Sequence, residues 1–314
     1  MGRSFFNRAG VVLCAVLCAP LIVLSQTSPL EQSALSDLKA LYLMAAKEGV
    51  PQVSLPQKIE YFSAKFLNKP YLGGALGEGA QSHFDNDPLY RFDAFDCTTY
   101  VETVMALALA DSPSSFLEVL NRIRYQDGKI SLFTRNHFTS LDWTPNAERL
   151  GYLRDFTNYL AVGKTMSLTT LIEKQKWYEK QAASMVKSTD LIAEKMQYIK
   201  EKTQNLPNAV VSLPYIEKSD LLQNPEMLLH FPAAGVINIV RKNWNVRDAI
   251  GTALDISHQG IFFERNGEII FRHASFRKSS QYVVETPLLD YVRHNLSDPT
   301  FAGINVLSLM EHRR

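Results

Sequence analysis

The chain of 314 residues has only three cysteines, Cys14, Cys18 and Cys97. The first two lie in an apolar stretch at the N-terminus. If that stretch is removed, a single thiol remains. One thiol makes no intrachain disulfide, no thiolate zinc site and no CxxC redox pair. An excess of charge of either sign is also missing. There are 33 basic and 32 acidic residues, and removing residues 1–25 takes away two arginines and no acid, leaving net −1. Such a balance gives no support for a nucleic-acid partner or for a strongly anionic surface. After residue 24 no apolar run is long enough to cross a bilayer. The glycine-rich stretch 68–79, NKPYLGGALGEG, lacks the spacing of GxGxxG or GxxxxGK[ST], and no apolar strand precedes it, which argues against a nucleotide loop. Histidines are scattered without metal-ligand spacing, so neither metal nor cofactor is expected.

What is present suits a globular protein, with 46% hydrophobic and 21% charged residues. Residues 1–25 read as a signal peptide: Arg3 and Arg8 are followed by an apolar run from Ala9 to Leu24, with Val23 and Ser25 as the small residues before a cleavage point. Leu13 and Leu17 precede the two cysteines where a lipobox would want Gly or Ala. The expectation is an exported protein, most simply periplasmic, with no stable membrane insertion once the signal is cleaved. Residues 26–314 then form one domain.

Residues 31–48 put Leu38, Leu41, Met44 and Ala45 on one helical face. Further helices are expected over about 57–67, 97–110 and 114–124, the one at 97–110 with Asp96 as its N-cap. The stretch 125–145 reads as a polar and aromatic loop. Residues 165–205 read as two helices separated near Ser188–Thr189, a helical insertion spanning about 160–205. Strands are expected at 209–216, from Gly235 onward and at 301–309, with a short helix near 218–229. Arg265-Asn266-Gly267 between two apolar runs marks a hairpin turn. Helices come first and strands cluster late, the order of an α+β fold with helices packed on an antiparallel sheet.

Cys97 opens a helix, where unpaired amide N–H groups and the helix dipole favour a thiolate. A nucleophilic thiol needs a general base and a group to orient it. His258 and His273 lie on either side of the Asn266-Gly267 hairpin. Strands joined by that turn can bring them side by side, His258 toward the thiol and His273 behind it. A cysteine at a helix start with histidines on adjacent strands is a papain-like arrangement. Each residue taken alone is equally readable as a structural one.

Taken together, FDCTTYVE (95–102), DISHQGIFF (255–263) and FRHASF (271–276), in this order, resemble the NlpC/P60 superfamily of cell-wall cysteine hydrolases. Closer still is the DUF1460 branch of N-acetylmuramoyl-L-alanine amidase-like proteins, through KPYLGGALGE (69–78), IRYQDG (123–128), TRNHFTSLDW (134–143) and GINVL (303–307). The similarity runs from about residue 57 to 309. It implies Cys97 as nucleophile, His258 as base and His273 as orienting residue. It also implies Tyr71 near the oxyanion, although PYLGG is one residue shorter than the superfamily's PYxxGG. The implied substrates are peptidoglycan fragments (muropeptides), cut between muramic acid lactate and L-Ala. A DL-endopeptidase cutting between D-Glu and diaminopimelate, a general papain-like peptidase or acyltransferase, and a non-catalytic wall-binding protein are the alternatives.

Stem peptides carry carboxylates, which a guanidinium can hold in bidentate fashion. Arg135 is the candidate for that contact. Asn136, His137 and Asp142 are candidates for polar contacts, and Trp143 for stacking on a sugar face. The structural alternatives are an Arg135–Asp142 pair bracing the loop and a Trp143 packed in the core.

Overall fold

Local sequence starts the helices. Ser28 caps the first one reciprocally with Glu31, and Pro29 occupies its first turn. Ser54 and Gln57 form the same box before the second. In the computed structural model, residues 28–161, 165–187 and 190–311 are described. The expected signal peptide, with Cys14 and Cys18, lies outside the described residues.

In chain order the elements are α1 (Pro29–Lys47), α2 (Leu55–Ala64), α3 (Cys97–Leu109), α4 (Pro113–Arg124), α5 (Thr144–Arg149), β1 (Leu153–Asp155), α6 (Thr157–Ala161) and β2 (Met166–Ile172). Then come α7 (Lys174–Met185), α8 (Ile192–Thr203), β3 (Ala209–Glu217), α9 (Lys218–Gln223), β4 (Ala234–Arg241) and α10 (Arg247–Ile250). The chain closes with β5 (Ile256–Arg265), β6 (Glu268–Ala274), β7 (Val283–Pro287), α11 (Leu288–His294) and β8 (Phe301–Leu309). Eight strands form one sheet in the order β2-β3-β8-β4-β5-β6-β7, with β1 against β8. Every pairing is antiparallel. The fold is α+β, as the order of elements indicates.

The stretch 165–205 departs from its reading as two helices. It opens with β2, which pairs along its whole length with β3 before α7 and α8 follow. Its SLTTLI string is rich in β-branched residues, a strand signal that the flanking lysines and glutamates obscure. The expected 218–229 helix stops at Gln223, and a 3-10 turn from Pro225 to His230 takes over, because proline cannot continue the hydrogen-bond ladder.

Both faces of the central strands are buried. On one face α3 packs against β5 and β6, with α2 beside it on β4 and β5 and α4 covering its outer side. It contributes Tyr100, Val101, Val104 and Met105 to a core shared with Phe95, Phe116, Ile261 and Phe263. On the other, Ile237, Ile239, Phe262, Phe271, Ile304 and Val306 pack against Leu221 of α9 and Leu288 and Val292 of α11. This is why β4, AGVINIVR, reads as a nearly continuous apolar run rather than an alternating one. The β5–β6 turn is the expected Asn-Gly hairpin. Asn266 and Gly267 both have positive φ, 53° and 81°, and Arg265 pairs with Glu268. Among the described residues no helix is long and apolar enough to cross a membrane.

Candidate active site

The site begins at the first turn of α3. The Asp96 side chain accepts the Thr99 N–H at 2.8 Å, and the Thr99 hydroxyl accepts the Asp96 N–H at 3.0 Å. That capping box makes Cys97 the first helical residue, half-buried. The chain before it is held by a short parallel bridge. Phe95 N–H donates to Pro70 at 3.0 Å and Leu72 N–H donates to Phe95 at 2.9 Å. The bridge sets Tyr71 beside the cysteine. Burial, with the nearby Cys97 and Asp96 charges, holds the Tyr71 phenol above its ordinary pKa, so it remains a proton donor.

The thiol itself differs from expectation. Burial, and secondarily the Asp96 charge, push the Cys97 pKa up to about 11, against the opposing pull of the Gln259 backbone N–H and of Thr98. The helix start offers amides, but desolvation outweighs them. The resting group is a thiol.

His258 and His273 meet across the β5–β6 pair. His258 Nε2 lies 2.8 Å from His273 Nδ1, with the rings at 86° and their centroids 4.7 Å apart. Both are almost fully buried. His273 is stacked on Phe271 and meets Tyr291 edge-on. Phe276 lies between His258 and Tyr71, with ring centroids 5.8 Å and 6.3 Å away. Gly260 makes room for the pair: a Cβ there would come within 2.5 Å of the Phe271 ring and 2.7 Å of His273 Cβ. The other nitrogen of His258, Nδ1, is buried with no hydrogen-bond partner. Desolvation, reinforced by Arg241 and Arg277, lowers the His258 pKa to about 3. Burial lowers His273 as well. Both imidazoles are therefore neutral at ordinary pH.

A row of amides ties this corner to the sheet. The Thr98 hydroxyl donates to Gln259 Oε1 at 3.0 Å, and Gln259 Nε2 donates to Asn238 Oδ1 at 2.9 Å. Asn238 Nδ2 donates to Asn305 Oδ1 at 2.9 Å, and Asn305 Nδ2 reaches Asp155 at 2.8 Å. Asn238 stands directly opposite Gln259 on one side and Asn305 on the other. All three amides are buried. The sequence reading missed this row. Its signal is one lone amide in each of three apolar strands, VINIV, HQGIFF and GINVL.

Each of the loop residues expected to meet substrate has an internal partner in the structure. Arg135 donates to the Leu76 and Gly77 carbonyls at 3.0 and 3.2 Å and pairs with buried Glu78 at 3.4 Å. Asp142 pairs with Lys174 at 2.6 Å. The loop is braced, but not by an Arg135–Asp142 pair. Asn136 Nδ2 donates to the Ile123 carbonyl at 3.0 Å. His137 Nε2 is 2.8 Å from the Leu132 carbonyl, and its ring lies against Trp177. Trp143 is 1% exposed, and its indole N–H donates to Glu102 at 3.1 Å, while Glu102 also accepts from Arg124 at 2.7 Å. It belongs to the core and presents no face to a sugar. The loop still borders the site: Ser140 donates to Asp255, three residues before His258, at 2.8 Å.

The structure thus gathers Cys97, Tyr71, His258 and His273 at one end of β5 and turns the Arg135–Trp143 loop inward. A family model described as AmiA-like, N-acetylmuramoyl-L-alanine amidase-like, matches residues 61–300. A solved DUF1460 protein of Legionella pneumophila is 35% identical, covering 91% of this chain and 97% of its own, with a TM-score of 0.84. An N-acetylmuramoyl-L-alanine amidase of Bacteroides uniformis is 25% identical over 82% of this chain and 99% of its own, with a TM-score of 0.56. No curated protein matches the sequence. The family match spans most of the chain, the nearly full-length likeness to the Legionella protein agrees with it, and the chain belongs to the AmiA-like, DUF1460 family of peptidoglycan amidase-like hydrolases.

Proposed function

We propose that the protein is a cysteine-dependent N-acetylmuramoyl-L-alanine amidase with the papain-like NlpC/P60 arrangement, α3 being the nucleophile helix. In this reading residues 26–314 form one catalytic domain, exported by residues 1–25 to the periplasm, where muropeptides are its substrates. One observation carries it. A buried imidazole nitrogen, His258 Nδ1, has no partner, while the other nitrogen of the ring is fixed by His273 and the thiol sits at the neighbouring helix start.

His258, carrying its proton on Nε2 and donating it to His273 Nδ1, keeps the Nδ1 lone pair for the thiol proton. Sγ of Cys97 attacks the lactyl carbonyl as that proton moves to Nδ1. The oxyanion is stabilised by the Cys97 backbone N–H and the Tyr71 hydroxyl. His258 passes the proton to the nitrogen of L-Ala, the C–N bond breaks, and a thioester remains. Water then gives a proton to Nδ1 and its oxygen attacks the thioester. The muramic acid carboxyl is released and the proton returns to sulfur. Neutral thiol and neutral imidazole suit this general-base course. The Arg135–Trp143 loop shapes the cleft from behind.

Incubation with a disaccharide-tetrapeptide, read by mass, tests the assignment. Free tetrapeptide beginning with L-Ala is the expected product. A dipeptide of diaminopimelate and D-Ala would replace the amidase with the endopeptidase, and binding without cleavage would leave only a wall-binding protein. Cys97→Ala abolishes turnover if the nucleophile is correctly assigned.

A further inference from the structure

Gln259 follows His258 directly on β5 and is 1% exposed in a largely apolar run, HQGIFF. A buried amide is costly unless its polar atoms are matched, and both ends of this one are. Nε2 donates to Asn238 at 2.9 Å, and Oε1 accepts the Thr98 hydroxyl at 3.0 Å. One residue is thus joined through the backbone to the candidate base and through its side chain to the residue after the candidate nucleophile.

The direction of these bonds is fixed from the far end of the amide row. The Asp155 carboxylate and the Pro214 carbonyl are acceptors only, and both take the Asn305 amide, at 2.8 and 3.1 Å. Asn305 then presents its oxygen to Asn238, Asn238 its oxygen to Gln259, and Gln259 its oxygen to Thr98. The Thr98 hydroxyl has one proton to give, and its closer partner is Gln259. The Cys97 sulfur lies 3.9 Å from the same oxygen.

This bond joins two layers, the first turn of α3 and the sheet beneath it, across 161 residues of sequence. The rest of α3 meets the sheet through apolar side chains such as Val101, Val104 and Ile261. Apolar packing is non-directional, whereas a hydrogen bond of fixed direction sets an offset. The strand needs such a fixing point here, because β5 pairs with β6 only from Ile261 onward.

We infer that Gln259 is a positioning residue for the reaction: by holding the Thr98 hydroxyl it sets the offset of α3 along β5, and with it the placement of the Cys97 sulfur against His258. The inference rests on the reading of Cys97 as nucleophile and His258 as base.

Thr98→Val keeps the shape of the side chain and removes the donor. With the disaccharide-tetrapeptide, kcat should fall roughly tenfold, the size of one hydrogen bond, at unchanged KM. Thr98→Ser restores it, and Gln259→Met lowers kcat at least as far as Thr98→Val. A second readout needs no substrate: the rate of iodoacetamide alkylation of Cys97 at neutral pH, taken as a double-mutant cycle with His258→Ala. Thr98→Val slows alkylation roughly tenfold where His258 is present and leaves it unchanged where His258 is absent. Equal slowing in both backgrounds means that the hydroxyl acts on the thiol or the fold alone, and overturns the assignment. An unchanged kcat in Thr98→Val overturns it too, while leaving the amidase reading in place. A chain that cleaves no muropeptide but shows the His258-dependent loss would remove the amidase reading and keep the positioning role.

Discussion

The side chain of Asn238 bridges Gln259 and Asn305 across three adjacent strands, with 2.9 Å on either side. It is the middle of a polar row that runs from the helix bearing Cys97 to Asp155 at the sheet's far side. Replacing it by leucine leaves both neighbouring amides buried and short of a partner. Each such group costs about 1–3 kcal/mol. Asn238→Leu should therefore lower the urea midpoint markedly. An unchanged midpoint would mean that the row adds nothing to stability.

The thiol at the start of α3 should titrate late. With Cys97 held up at about 11 and His258 down at about 3, the free enzyme carries a neutral pair. The rate of iodoacetamide alkylation should climb through pH 9 and beyond. A plateau already reached near pH 6 would indicate a preformed thiolate–imidazolium pair and sink this picture.

Trp143 should matter for stability and not for recognition. Its indole N–H caps the buried Glu102–Arg124 pair. Trp143→Phe leaves that carboxylate one donor short, at about 1–3 kcal/mol. Denaturation should register the loss while KM for muropeptides holds. A raised KM at unchanged stability would return the residue to the substrate.

His137 gives the protein an acid-sensitive brace. Its folded pKa is lowered from 6.5 to about 3, chiefly by burial. The unfolded chain binds a proton near pH 6.5 that the folded chain refuses. This contribution is complete above pH 6.5 and is lost as pH falls toward 3. Between pH 7.5 and 4.5, stability should fall less steeply in His137→Asn than in wild type, by about 2–3 kcal/mol. Identical slopes would show that His137 titrates normally in the folded chain.

How much of this was legible in the sequence depended on the range of the interaction. The α3 cap and the Asn-Gly hairpin are local, and Asp96, Asn266 and Gly267 announce them directly. The meeting of His258 and His273 follows from the hairpin between them, because two strands joined by a tight turn have little freedom in register. The loop from Arg135 to Trp143 was legible as a loop but not in its direction. Its polar side chains read the same whether they face a ligand or the carbonyls of Leu76, Ile123 and Leu132. The partners that decide, Glu78, Glu102 and Lys174, lie tens of residues away. The thiol pKa was misjudged for a similar reason: the helix start is local, whereas the burial that outweighs it comes from the sheet.

Gly260 sits two residues from His258 on the same strand, at the point where any side chain would strike Phe271 and His273. It carries no functional group. A single methyl group there would nevertheless press on the Phe271 ring and on Cβ of His273 while leaving Cys97, His258 and His273 all in the chain. The pairing of His258 with His273 on which the proposed mechanism depends is thus held as much by an empty volume as by the groups around it, and an inventory of side chains would count a disrupted site as intact.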